Sequence, residues 1–268
     1  RAPRRPAKIA QVRSFVQTRF EEQEIEQDGM PVEEQHQKFV VTLPEEVYQI
    51  GKSAQPGQDG EQQGEAPALT LEQYITGDIP AEPEAQARHK CIVVAPEYPV
   101  ITVDDNWNYS HHLDTTIELL KDLQTRYSVD PDRIYATGQS MGCMSSIVMM
   151  LKEPELFAGA LLAAGKWNPE LMGPLADQNI WIISCEGDAS SNTLQSRAVE
   201  KWRGQGHSVS EATWDLTASP EELSAEADKM RAGGDHLLFT HLTGGHRATW
   251  FVAYGIEGVQ EWLFEQHK

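Results

Sequence analysis

Residues 138–142 read Gly-Gln-Ser-Met-Gly, and no other stretch of the chain restricts its fold as tightly. A G-x-S-x-G between a short apolar strand and a helix makes a sharp turn that lifts the serine hydroxyl out of the backbone, a nucleophile elbow. The flanks have that form. Arg133-Ile134-Tyr135-Ala136-Thr137 reads as a buried strand, and Met141 to Leu151 (MGCMSSIVMML) is apolar almost throughout, as a helix packed inside a layered domain requires. The pentapeptide alone arises by chance in roughly one chain in ten of this length. The residues around it therefore carry the argument.

At 268 residues the chain is long enough for one sizeable core. Its composition changes near residue 85. Before that point Arg1 to Arg19 is basic, Glu21 to Asp28 is acidic, and Ser53 to Pro67 (SAQPGQDGEQQGEAP) is rich in Gln, Gly and Pro, which predicts a disordered loop. Gln37 to Leu43 predicts one strand and Leu69 to Ile75 a helical turn. Residues 1–84 are read as a variable, atypical N-terminal segment contributing edge strands, and 85–268 as the catalytic domain.

From residue 85 onward strands alternate with helices, the pattern of an α/β domain with a mostly parallel central sheet and helices on both faces. Cys91 to Ala95 predicts a central parallel strand ended by Pro96, and Ser110 to Tyr127 a helix with Leu113, Ile117, Leu120 and Gln124 on one face. Gly159 to Ala164 and Asn179 to Cys185 are further strands, followed by a helix from Leu194 to Trp202 that stops at Gly204. Ser219-Pro220-Glu221-Glu222 is a capping box opening a helix to about Arg231. Leu237 to Leu242 is the last strand, and Trp250 to Glu265 reads as one closing amphipathic helix.

Net charge of -19 argues against nucleic acid or an anionic membrane as partner, and no apolar run is long enough for a membrane span. Cys91, Cys143 and Cys185 read as buried free thiols rather than a disulfide framework. The chain starts at Arg1 instead of Met, so a processed or truncated product is expected.

A serine hydroxyl is a poor nucleophile at neutral pH and needs a histidine base, itself oriented by a carboxylate. Ser140, Asp188 and His246 supply the three in the order Ser, Asp, His, the last two just beyond predicted strands. Glu186 is the rival acid, disfavoured because it lies close to the strand end. The backbone N–H of Met141, the residue after the nucleophile, is the expected oxyanion donor. A second donor usually follows an earlier apolar strand ending in His-Gly, and no such segment precedes Cys91. Gln139, Trp107, Trp167 and Trp250 are candidate substrate-binding residues near the same sheet edge, the tryptophans reading equally well as packing residues. Asn108 reads as a helix cap. His236, His241 and His246 are spaced five apart, which suits neither a helical nor a strand-borne metal site, so no metal is expected.

Val94-Ala95-Pro96, the Asp130 to Tyr135 lead into Thr137 to Gly142, Pro154 to Ala158, and His246 with Thr249-Trp250 together resemble bacterial predicted-peptidase and polyhydroxybutyrate-depolymerase-like esterases, close to feruloyl and acetyl-xylan esterases. The resemblance covers about 85–268. It implies an α/β-hydrolase fold, hydrolysis of a small-molecule or polysaccharide-linked carboxylic ester through an acyl-enzyme, no cofactor, and Ser140, Asp188 and His246 as catalytic triad. It also favours a secreted product. The chain departs from the family pattern at Cys143, where glycine is usual, and at Cys185-Glu186-Gly187-Asp188, where His-Gly-x-x-Asp is usual. The missing oxyanion strand makes a catalytically impaired, ligand- or partner-binding protein the alternative to a serine esterase. A serine peptidase ranks lower, since no domain restricting peptide access is visible.

Overall fold

The computed structural model describes the backbone of residues 40–44, and residues 87–268 apart from 97, 99 and 247. The predicted loop at Ser53 to Pro67 and helical turn at Leu69 to Ile75 lie outside the described residues. The strands are β1 (Val40–Pro44), β2 (Cys91–Val94), β3 (Tyr135–Gln139), β4 (Gly159–Ala163), β5 (Ile180–Cys185), β6 (Ser210–Trp214) and β7 (Leu237–Leu242). They form one sheet in the order β2-β1-β3-β4-β5-β7-β6. The run β3-β4-β5-β7-β6 is parallel, whereas β1 is antiparallel to both its neighbours.

The helices are α1 (His112–Arg126), α2 (Met141–Lys152), α3 (Ala189–Gly204), α4 (Pro220–Ala232), α5 (Ala248–Gly255) and α6 (Glu257–Glu265). Successive side chains of the central strands point to opposite faces, and both faces are covered. Ala160, Leu162, Ile180 and Ile182 face a core shared with Leu113 of α1, Ile147 of α2 and Trp202 of α3. Leu161, Ala163, Trp181 and Ile183 face a second core with Leu223 of α4, Val252 of α5 and Trp262 of α6. This two-sided burial is why β4 and β5 are continuous apolar runs without alternation.

Several expectations change. β2 is not a central parallel strand. It is half-buried at the sheet edge with antiparallel β1 as its described neighbour. Leu123 and Thr116 complete the buried face of α1, while Gln124 is only partly covered and turns its amide to the Leu120 carbonyl. The closing segment is two helices rather than one. Gly255 ends α5, and Ile256 is extended before α6 begins. α3 begins at Ala189, earlier than expected, because the Asp188 side chain caps it by accepting the Ser191 N–H. β6 was not anticipated, being a short edge strand whose only buried residue is Trp214. The Ser219 capping box is present as expected.

Trp181 is 0 % exposed, packs edge-to-face on Trp214 and Trp262, and donates its indole N–H to Thr240 Oγ1 at 2.9 Å. Trp181→Ala is expected to lower unfolding free energy by about 3–5 kcal/mol, read from the midpoint of denaturant unfolding.

Candidate active site

Because β3, β4, β5 and β7 are adjacent and parallel, their carboxyl ends open on one edge of the sheet, where ligands of such sheets collect. Ser140 leaves β3, Ala164 to Lys166 leave β4, Asp188 follows β5 and His246 follows β7. All of these line one cleft.

At Ser140 the chain turns from β3 into α2 with φ 53° and ψ -119°, a region in which side-chain-bearing residues are rare. The flanking glycines make the turn fit: a Cβ on Gly138 would lie 2.3 Å from the Gly142 carbonyl carbon. The Ser140 N–H donates to the Ala163 carbonyl of β4 at 2.8 Å, tying the strained residue to the sheet. Cys143, in the first turn of α2, is fully buried. Its room comes from Gly165, where a Cβ would lie 2.4 Å from the Cys143 sulfur.

His246 Nε2 lies 3.1 Å from Ser140 Oγ, and His246 Nδ1 lies 2.6 Å from Asp188 Oδ2. An ionised carboxylate only accepts, so Nδ1 carries the proton and Nε2 is left to accept from the serine hydroxyl. The other Asp188 oxygen, Oδ1, accepts the Ser191 N–H, so one carboxylate caps α3 and orients the imidazole. The loops bearing Asp188 and His246 are joined directly: the Gly187 N–H donates to the Gly244 carbonyl at 2.8 Å, and the Glu186 N–H to the Leu242 carbonyl at 3.0 Å. A Cβ on Gly187 would fall 2.3 Å from the Gly244 oxygen, so only glycine permits this approach. The rival acid Glu186 is exposed.

The cleft has a volume of about 380 Å³ and is lined on its apolar side by Ile101, Val103, Met141 and Met144. Elsewhere in its lining the Lys166 ammonium bridges Asp105 at 3.0 Å and the Ser190 hydroxyl at 3.0 Å. Neither Gln139 nor any of the three tryptophans lines it. Trp107 and Trp167 pack edge-to-face behind it with ring centres 5.5 Å apart, and the Trp250 ring stands 6.1 Å from that of His246. Asn108 caps no helix. It closes a loop in which the Asp104 carboxylate accepts from Asn106 N–H, Asn108 N–H and the Asn108 side-chain amide. These three bonds hold the Asp104 carboxyl below its usual range, those from Asn108 most strongly.

His236 faces the Ala176 carbonyl, and His241 lies between Glu211 and Asn192. Among the described residues no group of three or more His, Cys, Asp or Glu side chains is arranged to hold a metal ion. Among them, too, no helix is long and apolar enough to cross a membrane. Sequence reasoning missed Ile101 and Val103 as part of the cleft wall. The signal was the apolar run Val100-Ile101-Thr102-Val103, which the strand and helix pattern leaves unassigned.

Among solved structures the chain is similar to a thermostable esterase, with a TM-score of 0.54 and 22% identity over 70% of this chain and 48% of that one. The chain thus spans about half the length of that protein, and at this identity the likeness shows the fold, that of an α/β hydrolase. Two Staphylococcus aureus proteins align more loosely. They are the fluorophosphonate-binding serine hydrolase FphF, with 13% identity and a TM-score of 0.41, and the S-formylglutathione hydrolase FrmB, with 14% identity and a TM-score of 0.40. Each alignment covers 85% of this chain and 92% of the other. No curated protein matches the chain. The family described as putative esterase matches residues 79–253. With its strained serine turn and parallel sheet, the chain belongs to that esterase family.

Proposed function

We propose that the protein hydrolyses carboxylic esters of small molecules, with Ser140 as nucleophile, His246 as general base and acid, and Asp188 as the group that orients the imidazole. The observation carrying this reading is the continuous hydrogen-bond chain from Asp188 through His246 to Ser140 at one wall of a cleft. Ser140 Oγ attacks the ester carbonyl as its proton passes to His246 Nε2, and the carbonyl π electrons move onto oxygen. Collapse of this tetrahedral species expels the alcohol, which takes the proton from His246, and leaves Ser140 acylated. Water, deprotonated by His246, then attacks the acyl carbon, releasing the acid and restoring the serine. The imidazolium formed in each half-reaction sits against the Asp188 carboxylate, which stabilises it without becoming protonated.

The cleft's size suits a short or compact acyl group, packed against Val103 and Met144. A depolymerase-like or feruloyl-type substrate, the finer kinship expected from sequence, would set its larger portion at the open mouth beside exposed Ile101. Cys143 does not compete as nucleophile, since burial pushes its thiol up to about 12.

A fluorophosphonate is expected to label Ser140, and short-chain nitrophenyl esters to be turned over, with both lost in Ser140→Ala. Absence of labelling on the intact wild-type protein would refute the proposal. Asp188→Asn keeps a capping oxygen for Ser191 yet loses the carboxylate, so kcat should drop by about 10⁴-fold while the melting temperature changes little. In Gly187→Ala the added methyl forces the acid and base loops apart, and kcat should fall with the Ser140 side chain untouched. Peptide mapping after iodoacetamide at neutral pH should find Cys143 unmodified in the folded protein and alkylated once it is unfolded.

A further inference from the structure

The tetrahedral species of the proposed reaction places negative charge on the former carbonyl oxygen, and two backbone donors ordinarily share it. Met141 N–H, at the amino end of α2, is one. β1, which fills the place beside the elbow strand, runs antiparallel to it, with Val40 opposite Thr137 and Thr42 opposite Tyr135. Pro44 therefore leaves the sheet at the edge away from Ser140, so the carboxyl end of that strand offers no donor to the cleft.

A different segment borders the cleft. Thr102 to Asp104 pairs with Asn108 to Ser110 in a small antiparallel hairpin: the Ser110 N–H donates to the Thr102 carbonyl at 2.7 Å and the Asp104 N–H to the Asn108 carbonyl at 3.1 Å. In a trans peptide the carbonyl and the following N–H point in opposite directions, and none of the described peptides is cis. With the Thr102 carbonyl aimed at Ser110, the Val103 N–H must point away from the hairpin. Ile101, Val103 and Asp104 line the cleft together with Ser140 and Met141, whereas Asn108, Tyr109 and Ser110 do not. The cleft is thus bordered by the Ile101–Asp105 arm of the hairpin and not by its partner arm.

Val103 is 2 % exposed, and among the described residues its N–H meets no acceptor. Buried backbone donors without a partner are rare because each forfeits a hydrogen bond to water. The segment is also fixed to the elbow. Ser145 Oγ donates to the Met141 carbonyl at 3.0 Å, which leaves it to accept from the buried Thr102 hydroxyl at 2.9 Å. One hydroxyl relay therefore fastens the Val103 strand to the residue that carries the first donor.

We infer that the Val103 N–H is the second oxyanion donor, aimed with Met141 N–H at the oxygen that becomes negative when Ser140 attacks. This rests on the ester-hydrolase reading given above. Val103 is a catalytic residue through its backbone, and Thr102 and Ser145 are positioning residues.

The deciding experiment replaces Val103 by its α-hydroxy acid, which exchanges the N–H for an ester oxygen and keeps the isopropyl group. A matched protein carries the α-hydroxy analogue of Ser110, which breaks the same Thr102–Ser110 hydrogen bond but spares the Val103 N–H. The position-103 ester is expected to lose about 10²–10³-fold in kcat with little change in KM, and the position-110 ester to retain most of its activity at a similar melting temperature. Thr102→Val should lower kcat more than it raises KM. Wild-type kcat in the position-103 ester, or equal losses in both esters, would overturn the inference while leaving Ser140-dependent hydrolysis standing. Failure of a fluorophosphonate to label wild-type Ser140 would instead remove the hydrolase reading and this one with it.

Discussion

The backbone at Ser140 is held in a conformation that costs on the order of 1–3 kcal/mol for a residue with a side chain, and the neighbouring structure is arranged so that it persists. Gly138 lets strand and helix approach within a distance that a Cβ there would block. The Ala163 carbonyl takes the Ser140 amide, and α2 is buried on nearly all sides between the sheet and α1. Gly165 yields the space that Cys143 fills. A relaxed turn would release the strain but would move the hydroxyl away from His246 Nε2, so rigidity of the surrounding core and alignment of the Ser140 hydroxyl are one requirement.

Asp188 and His246 are held by a different means. Neither sits on a regular element. The Gly187–Gly244 and Glu186–Leu242 hydrogen bonds continue the pairing of β5 with β7 beyond their ends, so the two loops behave as an extension of the sheet. Asp188 gains further definition by ending α3 at its amino side, where a negative charge is also favoured by the helix dipole. One aspartate thereby couples helix placement to imidazole orientation.

The parallel part of the sheet was legible in the sequence because burial on both faces leaves runs such as Ile180 to Cys185 with almost no polar residue. The elbow was legible because its glycines answer a steric demand local to five residues. The order Ser140, Asp188, His246 could be read from where predicted strands end, and the structure brings these three side chains together. What escaped depends on contacts between distant segments. The edge position of β2 is decided by pairing with Val40–Pro44, and its own residues look like those of any central strand. The break at Gly255–Ile256 was hidden because both α5 and α6 turn apolar faces to the same core, which reads as one amphipathic stripe. The tryptophans could be placed near the site but not inside or behind the cleft, since packing of Trp107 on Trp167 is fixed by the loop that Asp104 closes.

The insertion of β1 between β2 and β3 bears on the order in which this chain assembles. The strands β3, β4, β5 and β7 with their crossover helices come from one continuous stretch of sequence, but β1 reaches the outer edge of β3 across residues 45–134. Closing so long a loop costs entropy before any contact is gained, which delays non-local pairing relative to the local βα units. Until β1 docks, the elbow strand offers a row of unpaired amides and carbonyls to any other extended chain. The strand that leads into Ser140 is thus one whose flank is covered late.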